Sequence, residues 1–324
     1  MRKVNLQLES WATNEPFRIT DHAFTEAKVL VVTLTENGAV GRGEASGVYY
    51  LNETSESILL QAEDIKDQLK QGIDRQQLST LLPAGGARNA IDCALWDLEA
   101  KLSGKTVWDL TAIQPTKILT VNTVGVGVPE AMAATAIKLD TAKIKVKLNG
   151  DQPLACLQAV YAARPDAQIV VDVNQGWTFQ QLVELTPQFK RLGVIMIEQP
   201  LPRGADSELE NYLSPIPLCA DESCLDTSEL VQAARRYQMI NIKLDKTGGL
   251  TEALNLAKQA KTLGLGLMVG NMLGTSLAMA PAYVVAQLCK LVDLDGPVLL
   301  ARDRVNGMTF KGGVVSIPNT ELWG

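Results

Sequence analysis

The chain has 324 residues, 46% of them apolar and 20% charged, a size and balance that suit one large core or two domains and exclude disorder and fibre. Its formal charge of −6 comes without a basic block, and its five cysteines include no CxxC pair, so a nucleic-acid surface, a disulfide framework and a structural zinc site are all disfavoured. A single histidine, His22, leaves no imidazole relay and no multi-histidine metal site, and acid–base chemistry falls to lysines and carboxylates.

The amino-terminal run "MRKVNLQLESW" lacks a signal-peptide pattern, and no later stretch has the length of a membrane span. A cytoplasmic chain without nucleic-acid or membrane partners is expected; self-association is left open. "VNLQLESW" alternates as a strand. "AKVLVVTLTENGAVGRGEAS" predicts two strands joined at Asn37-Gly38, a dipeptide suited to tight hairpins. Between them, Pro16 to Lys28 reads as a polar loop carrying His22. From Ala87 to Leu102 the apolar residues recur at steps of three and four, which predicts an amphipathic helix stopped at Ser103-Gly104. Residues 1–113 are therefore α+β in style.

A different organisation starts near residue 118. Eight short apolar runs, "ILTVNTVG", "KIKVKL", "IVVDVN", "VIMIEQP", "LCADES", "MINIKLD", "LGLMVGN" and "LVDLDG", alternate with helix-like stretches. Such alternation implies right-handed crossovers and a parallel sheet, and eight units close a TIM-type barrel over residues 114–299. The tail, about 300–324, looks strand-like and is expected to return to the amino-terminal layer.

Barrel strands are buried on both sides, so ionisable groups within them are costly unless they sit at the carboxyl-end rim. Lys147, Asp172, Glu198, Asp221 and Lys243 end consecutive or opposed runs at separations of 25, 26, 23 and 22 residues, one unit each. They converge on one mouth. Three carboxylates on adjacent strands repel one another unless a cation lies among them, and an all-oxygen set indicates one Mg²⁺, with Mn²⁺ as substitute. The alternating lysines of "KIKVKLNG" would, on an edge strand, be a solvated face; in a barrel, Lys147 and Lys243 face each other across the axis. Beside a cation and a second lysine, the charged form of each is disfavoured, which predicts a usable general base. Two lysines on opposite sides of one carbon have the geometry of a racemase or epimerase.

"IKVKL", "DVNQGW", "IEQPL", "ADES" and "NIKLDKTGG" at these spacings, with "ARNAIDCALWDLEAK" in the cap, closely resemble the muconate-lactonizing subgroup of the enolase superfamily. "DLDGP" is similar to its dipeptide epimerases of the L-Ala-D/L-Glu type. The resemblance implies a (β/α)7β barrel under an α+β capping domain and a Lys base working with Mg²⁺. By position it implies Asp172, Glu198 and Asp221 as metal ligands and Lys147 and Lys243 as the acid/base pair. Lys145 would tune Lys147 and, with Asp293 and Asp295, serve the substrate end, the two aspartates holding a dipeptide α-ammonium; Lys143 would be strand periphery. The implied activity is epimerisation at the C-terminal residue of an L-Ala-L-Xaa dipeptide.

One departure concerns the arginine that Glu-preferring relatives carry in the Pro16 to Lys28 segment. Here that segment offers Arg18, Asp21, His22 and Phe24, a candidate specificity loop, and Lys28. The preference for Glu stays open at this point. The rivals are an o-succinylbenzoate synthase or muconate cycloisomerase, which share the lysines and acids, and a non-catalytic metal-stabilised binding barrel. "GRGEAS" lacks a dinucleotide-site spacing, "TGGL" reads as a turn entering a helix, and Trp177 either lines the mouth or packs a loop.

Overall fold

The computed structural model describes residues 1–19 and 22–324. Three antiparallel strands open the chain: β1 (Lys3–Ile19), β2 (His22–Glu36) and β3 (Ala39–Ala45), with β2 central and β3 joined to it through Asn37-Gly38. The segment expected to be a loop is strand instead: beyond an irregularity between Ala12 and Phe17, Phe17 pairs with Phe24, Arg18 with Ala23 and Ile19 with His22. The segment carries only three large apolar residues, Phe17, Ile19 and Phe24, partly buried and turned to the cleft, among polar and exposed ones, so it lacks the continuous alternation of a core strand. Asp21 lies outside the described residues.

Five helices follow: α1 (Ser55–Asp64), α2 (Lys66–Gln71), α3 (Arg75–Leu81), α4 (Gly86–Ser103) and α5 (Val107–Thr111). The apolar face of α4 lies on β2 and β3, burying Ala87, Ala90, Ile91, Ala94 and Leu98 against Leu30, Val32 and Leu34. Contact this close needs glycine in β3. A Cβ on Gly43 would come within 2.1 Å of the Ala90 carbonyl oxygen, and one on Gly41 within 2.3 Å of that of Ala94.

The barrel strands are β5 (Asn122–Val124), β6 (Lys143–Lys147), β7 (Gln168–Asp172), β8 (Val194–Glu198), β9 (Leu218–Ala220), β10 (Met239–Ile242), β11 (Gly266–Val269) and β12 (Leu291–Val292), preceded by the short β4 (Ile118–Leu119). They pair in parallel in sequence order, and Val121 N–H donates to the Val292 carbonyl at 2.9 Å, joining first to last. Each of the eight predicted runs supplies one barrel strand, and the first also contains β4. Crossovers run through α6 (Pro129–Lys138), α7 (Pro153–Ala163), α8 (Phe179–Arg191), α9 (Leu230–Arg236), α10 (Leu244–Thr247), α11 (Leu250–Thr262) and α12 (Ser276–Ala286), with α13 (Gly296–Leu299) after the last strand. After β8 the connection is a single 3₁₀ turn, Ser207–Asn211. Among the described residues no helix is long and apolar enough to cross a membrane.

Inside the barrel, Val121, Val170, Met196, Cys219, Met239, Met268 and Leu291 form a separate apolar plug. Because strand side chains alternate, the residue two positions beyond each plug member faces the same interior one layer nearer the rim. That layer consists of Thr123, Asp172, Glu198, Asp221, Asn241, Gly270 and Asp293, with Lys145 and Lys147 added from β6. The lysine row is thus an inner face, and only Lys143 at the strand start is partly exposed.

The tail forms β13 (Phe310–Lys311) and β14 (Val314–Val315), which pair with each other, and β14 pairs with β4. Its last residues reach the cap: Trp323 Nε1 donates to the Cys93 carbonyl at 2.9 Å and Gly324 N–H to Asp97 Oδ1 at 2.7 Å. All five cysteines are free thiols, four of them buried.

Candidate active site

The rim layer brings Lys145, Lys147, Asp172, Glu198, Asp221, Lys243 and Asp293 together, all buried. Register accounts for much of this: Lys147 sits opposite Asp172 and Asp172 opposite Glu198. Each of the three central carboxylates has one oxygen tied back to the scaffold. Asp172 Oδ1 accepts from the Asn174 N–H at 2.9 Å, Glu198 Oε1 from Asn241 Nδ2 at 2.6 Å, and Asp221 Oδ1 from Lys246 Nζ at 2.7 Å. The second oxygen of each meets an ammonium. Lys145 Nζ lies 2.9 Å from Asp172 Oδ2, 2.8 Å from Glu198 Oε2 and 2.7 Å from Asp293 Oδ2. Lys147 Nζ is 2.6 Å from Asp172 Oδ2, and Lys243 Nζ 2.7 Å from Asp221 Oδ2.

These contacts set the charge states. Burial alone would raise the Asp172 carboxyl, but Lys145 and Lys147 outweigh it and hold it down to about 2. Asp221 is likewise held well below the carboxylate range, its burial overcome by Lys243 and Lys246. Glu198 goes the other way, raised by burial and by the Asp172 charge. Burial and the Asp221 charge push Glu222 up to about 8; burial and the Asp293 charge push Asp295 up to about 7.

The acids also set the charge state of Lys243. Burial works to lower it, yet the Asp221 and Glu198 charges prevail and raise the ammonium well above the ordinary lysine range. Lys145 is raised in the same way, by Asp172, Asp293 and Glu198 acting against burial. The approach of the acids, 2.7 Å from Lys243 Nζ to Asp221 Oδ2 and 2.7 to 2.9 Å around Lys145, is what raises both.

Among the described residues, no three His, Cys, Asp or Glu side chains are arranged as a ready metal cage, and ammonium groups dock on Asp172 Oδ2 and Asp221 Oδ2. The donor set nevertheless fits a hard divalent cation. It offers Asp172 Oδ2, Glu198 Oε2 and Asp221 Oδ2 from adjoining strands, and Glu198 Oε2, though near Lys145, is buried without a well-formed hydrogen bond.

Lys147 and Lys243 line one cleft of about 390 Å³ between cap and barrel, together with Phe17, Phe24, Tyr49 and Met272. It continues inward to a recess of about 60 Å³ bounded by Lys145, Thr123, Asp293 and Asp295. Asp295 Oδ2 accepts from the Thr123 N–H at 2.8 Å, while Asp293 Oδ1 is buried without a partner. Of the candidate specificity residues, Phe24 lines the mouth and stacks near His22 and Tyr49, with ring centroids 6.0 and 5.9 Å away. Arg18 lines a separate groove beside Thr123 and Gly125 and not the mouth; Lys28 does line the mouth. Trp177 packs on Phe189 with its indole N–H on the Asn149 carbonyl, so it belongs to the core.

Sequence reasoning missed Asn241, Lys246 and Gln199. Lys246 Nζ reaches Asp221 Oδ1 and the carbonyls of Asp221, Cys224 and Asn241; Gln199 Oε1 accepts from the N–H groups of Asp221 and Ser223, both at 3.0 Å. Strand alternation is the signal that could have found Asn241, two residues before Lys243. Nothing in spacing marked the other two.

Fold and site together define an enolase-type barrel under an α+β cap. Residues 1–111 match the "Mandelate racemase / muconate lactonizing enzyme, N-terminal domain" family and residues 128–321 the "Enolase C-terminal domain-like" family, so the chain belongs to the mandelate racemase / muconate lactonizing enzyme family of the enolase superfamily. It is 42% identical to the L-Ala-D/L-Glu epimerase of Escherichia coli K12, over 97% of this chain and 99% of that protein. It is 44% identical to an N-acetyl-D-glutamate racemase of a Pseudoalteromonas species, over 78% of this chain and 80% of that one. Among solved structures, an enolase family member from Agrobacterium tumefaciens with homology to dipeptide epimerases, determined with sodium and L-Ala-L-Glu, superposes with a TM-score of 0.98 at 40% identity, covering both chains completely.

Proposed function

We propose that the protein is a dipeptide epimerase of the L-Ala-D/L-Glu type, an isomerase that inverts the α-carbon of the C-terminal residue by transferring a proton from one face to the other. The observation that carries this reading is the pairing of Lys147 and Lys243 on one cleft above three carboxylates. Residues 1–113 act as the cap and 114–299 as the catalytic barrel.

Asp172, Glu198 and Asp221 hold one Mg²⁺, for which Mn²⁺ can substitute on the same oxygen chemistry. When bound, that ion supplies positive charge to the substrate's terminal carboxylate and so acidifies the adjoining C–H. One lysine accepts the α-proton while the opposite lysine, as its ammonium, delivers a proton to the other face; the roles exchange in reverse. Lys243 is held protonated by the Asp221 and Glu198 charges, so its acting as base requires those charges to be satisfied elsewhere. Lys145 keeps the acidic layer from repelling itself.

Asp293 and Asp295 receive the dipeptide's α-ammonium in the inner recess. That preference separates the reading from o-succinylbenzoate synthase or muconate cycloisomerase chemistry, whose dicarboxylates would leave buried Asp293 Oδ1 unpaired. It also separates a dipeptide from an N-acylated amino acid, which carries no ammonium. A non-catalytic barrel gives no reason for two lysines to share the cleft.

The test is incubation in D₂O with Mg²⁺, comparing L-Ala-L-Glu, other L-Ala-L-Xaa dipeptides and N-acetyl-L-glutamate by mass spectrometry. One deuteron gained at the C-terminal α-carbon of a dipeptide, with far slower exchange in N-acetyl-L-glutamate, is expected. Faster exchange in the N-acetyl compound would transfer the assignment to an N-acylamino acid racemase.

A further inference from the structure

Three carboxylates form the centre of the site, and each is oriented by a different kind of group. On the scaffold side, a backbone N–H holds Asp172 Oδ1 and a buried ammonium holds Asp221 Oδ1, whereas Glu198 Oε1 is held by one neutral side chain, Asn241, with Lys145 on its other oxygen. Asn241 is fully buried on β10, and its Nδ2 donates to Glu198 Oε1 at 2.6 Å while its Oδ1 has no partner. The amide orientation is fixed by that contact, since turning the oxygen toward the carboxylate would set two acceptors against each other. A buried amide that leaves its own acceptor unsatisfied is held there by the one bond it makes.

Room for this bond comes from the next strand. A Cβ on Gly270 would lie 2.7 Å from both Asn241 Nδ2 and Oδ1 and 3.0 Å from Lys243 Cε. The missing side chain therefore admits two things at once: the Asn241 amide, in its reach toward Glu198, and the stem of Lys243, in its course to the cleft.

Resting on the metal reading above, we infer that Asn241 is a positioning residue: by holding Glu198 Oε1 it turns Oε2 into the site and so sets how tightly the divalent cation is held, with Gly270 providing the space. Asn241 does not touch the reacting carbon. Its loss should weaken cation affinity and leave turnover at saturating cation nearly intact.

The experiment is calorimetric titration of metal-stripped protein with Mg²⁺ for wild type, Asn241→Leu, Asn241→Ser and Gly270→Ala, alongside the Mg²⁺ dependence of epimerisation. Both Asn241 variants are expected to bind Mg²⁺ about tenfold more weakly, with kcat at saturating Mg²⁺ within about threefold of wild type. Gly270→Ala, which also crowds Lys243, should lose both affinity and kcat. Folded Asn241 variants with wild-type Mg²⁺ affinity would overturn the inference, and so would failure of both to fold, which would make Asn241 a structural residue only. Wild-type protein that takes up no Mg²⁺ would instead overturn the metal reading on which the inference rests.

Discussion

Replacing Lys145 by Met is the perturbation whose consequence depends most on the site's charge balance. Its ammonium lies within 2.9 Å of carboxylate oxygens of Asp172, Glu198 and Asp293, all buried. Removing one partner of a buried ionic cluster strands the others and costs about 3–5 kcal/mol. For a chain of this size each kcal/mol moves the melting temperature by about 2 °C, so metal-free Lys145→Met should melt about 6–10 °C lower than wild type. The ammonium's raised pKa makes its stabilisation fully present below the ordinary lysine pKa and lost only as pH rises through the higher folded value, so pH 7.5 lies inside the plateau. A divalent cation supplies the lost positive charge. In saturating Mg²⁺ the gap should shrink to about 2 °C, because ligand binding to the folded state alone stabilises it by mass action. Melting curves by circular dichroism in EDTA and in Mg²⁺ read this directly. An equal gap in both buffers would refute the idea that Lys145 and the cation compensate the same carboxylates.

Other outcomes follow from the same geometry. Burial pushes Asp245 up to about 7 although Asn89 and the Ser46 N–H donate to it, so the folded state holds a proton that the unfolded chain has lost, and stability falls as pH rises from about 4 to 7. Asp245→Asn should match wild type near pH 4 and exceed it above pH 7 by at most about 4 kcal/mol, a difference that melts across a pH series would measure and a pH-independent gap would contradict. Gly43→Ala must push α4 off β3 and should cost about 1–3 kcal/mol in a denaturant titration; an unchanged midpoint would deny the 2.1 Å approach. Phe24→Arg puts a guanidinium at the mouth and should raise kcat/KM for L-Ala-L-Glu relative to L-Ala-L-Leu by about fivefold, the worth of one partly exposed ion pair; an unchanged ratio would remove Phe24 from the side-chain pocket.

Much of this molecule was legible because strand alternation and one polar residue per βα unit are strong periodic signals. Lys147, Asp172, Glu198, Asp221 and Lys243 stand at strand ends where burial makes a charge too costly without purpose, and the structure gathers them. The hairpin at Asn37-Gly38 and the helix after Ala87 were equally plain. What escaped detection depends on packing between distant segments. Lys246 matters through the four oxygens it reaches, from Asp221, Cys224 and Asn241, and none of those contacts has a sequence period. The Phe17 to Phe24 pairing was hidden because its large apolar residues, Phe17, Ile19 and Phe24, are few, partly exposed and interleaved with polar ones, which looks like a loop. The sign of the Lys243 shift required a distance, the 2.7 Å to Asp221, that spacing alone does not supply.

The central claim, one lysine for each face of the α-carbon, is tested most directly by α-proton exchange in D₂O with Lys147→Ala and Lys243→Ala, each offered L-Ala-L-Glu and L-Ala-D-Glu separately. Both variants should lose epimerisation by at least about a hundredfold. Each should still exchange the α-proton of one diastereomer, and not the same one. Exchange of the same diastereomer by both variants, or epimerisation surviving in either, would contradict the account.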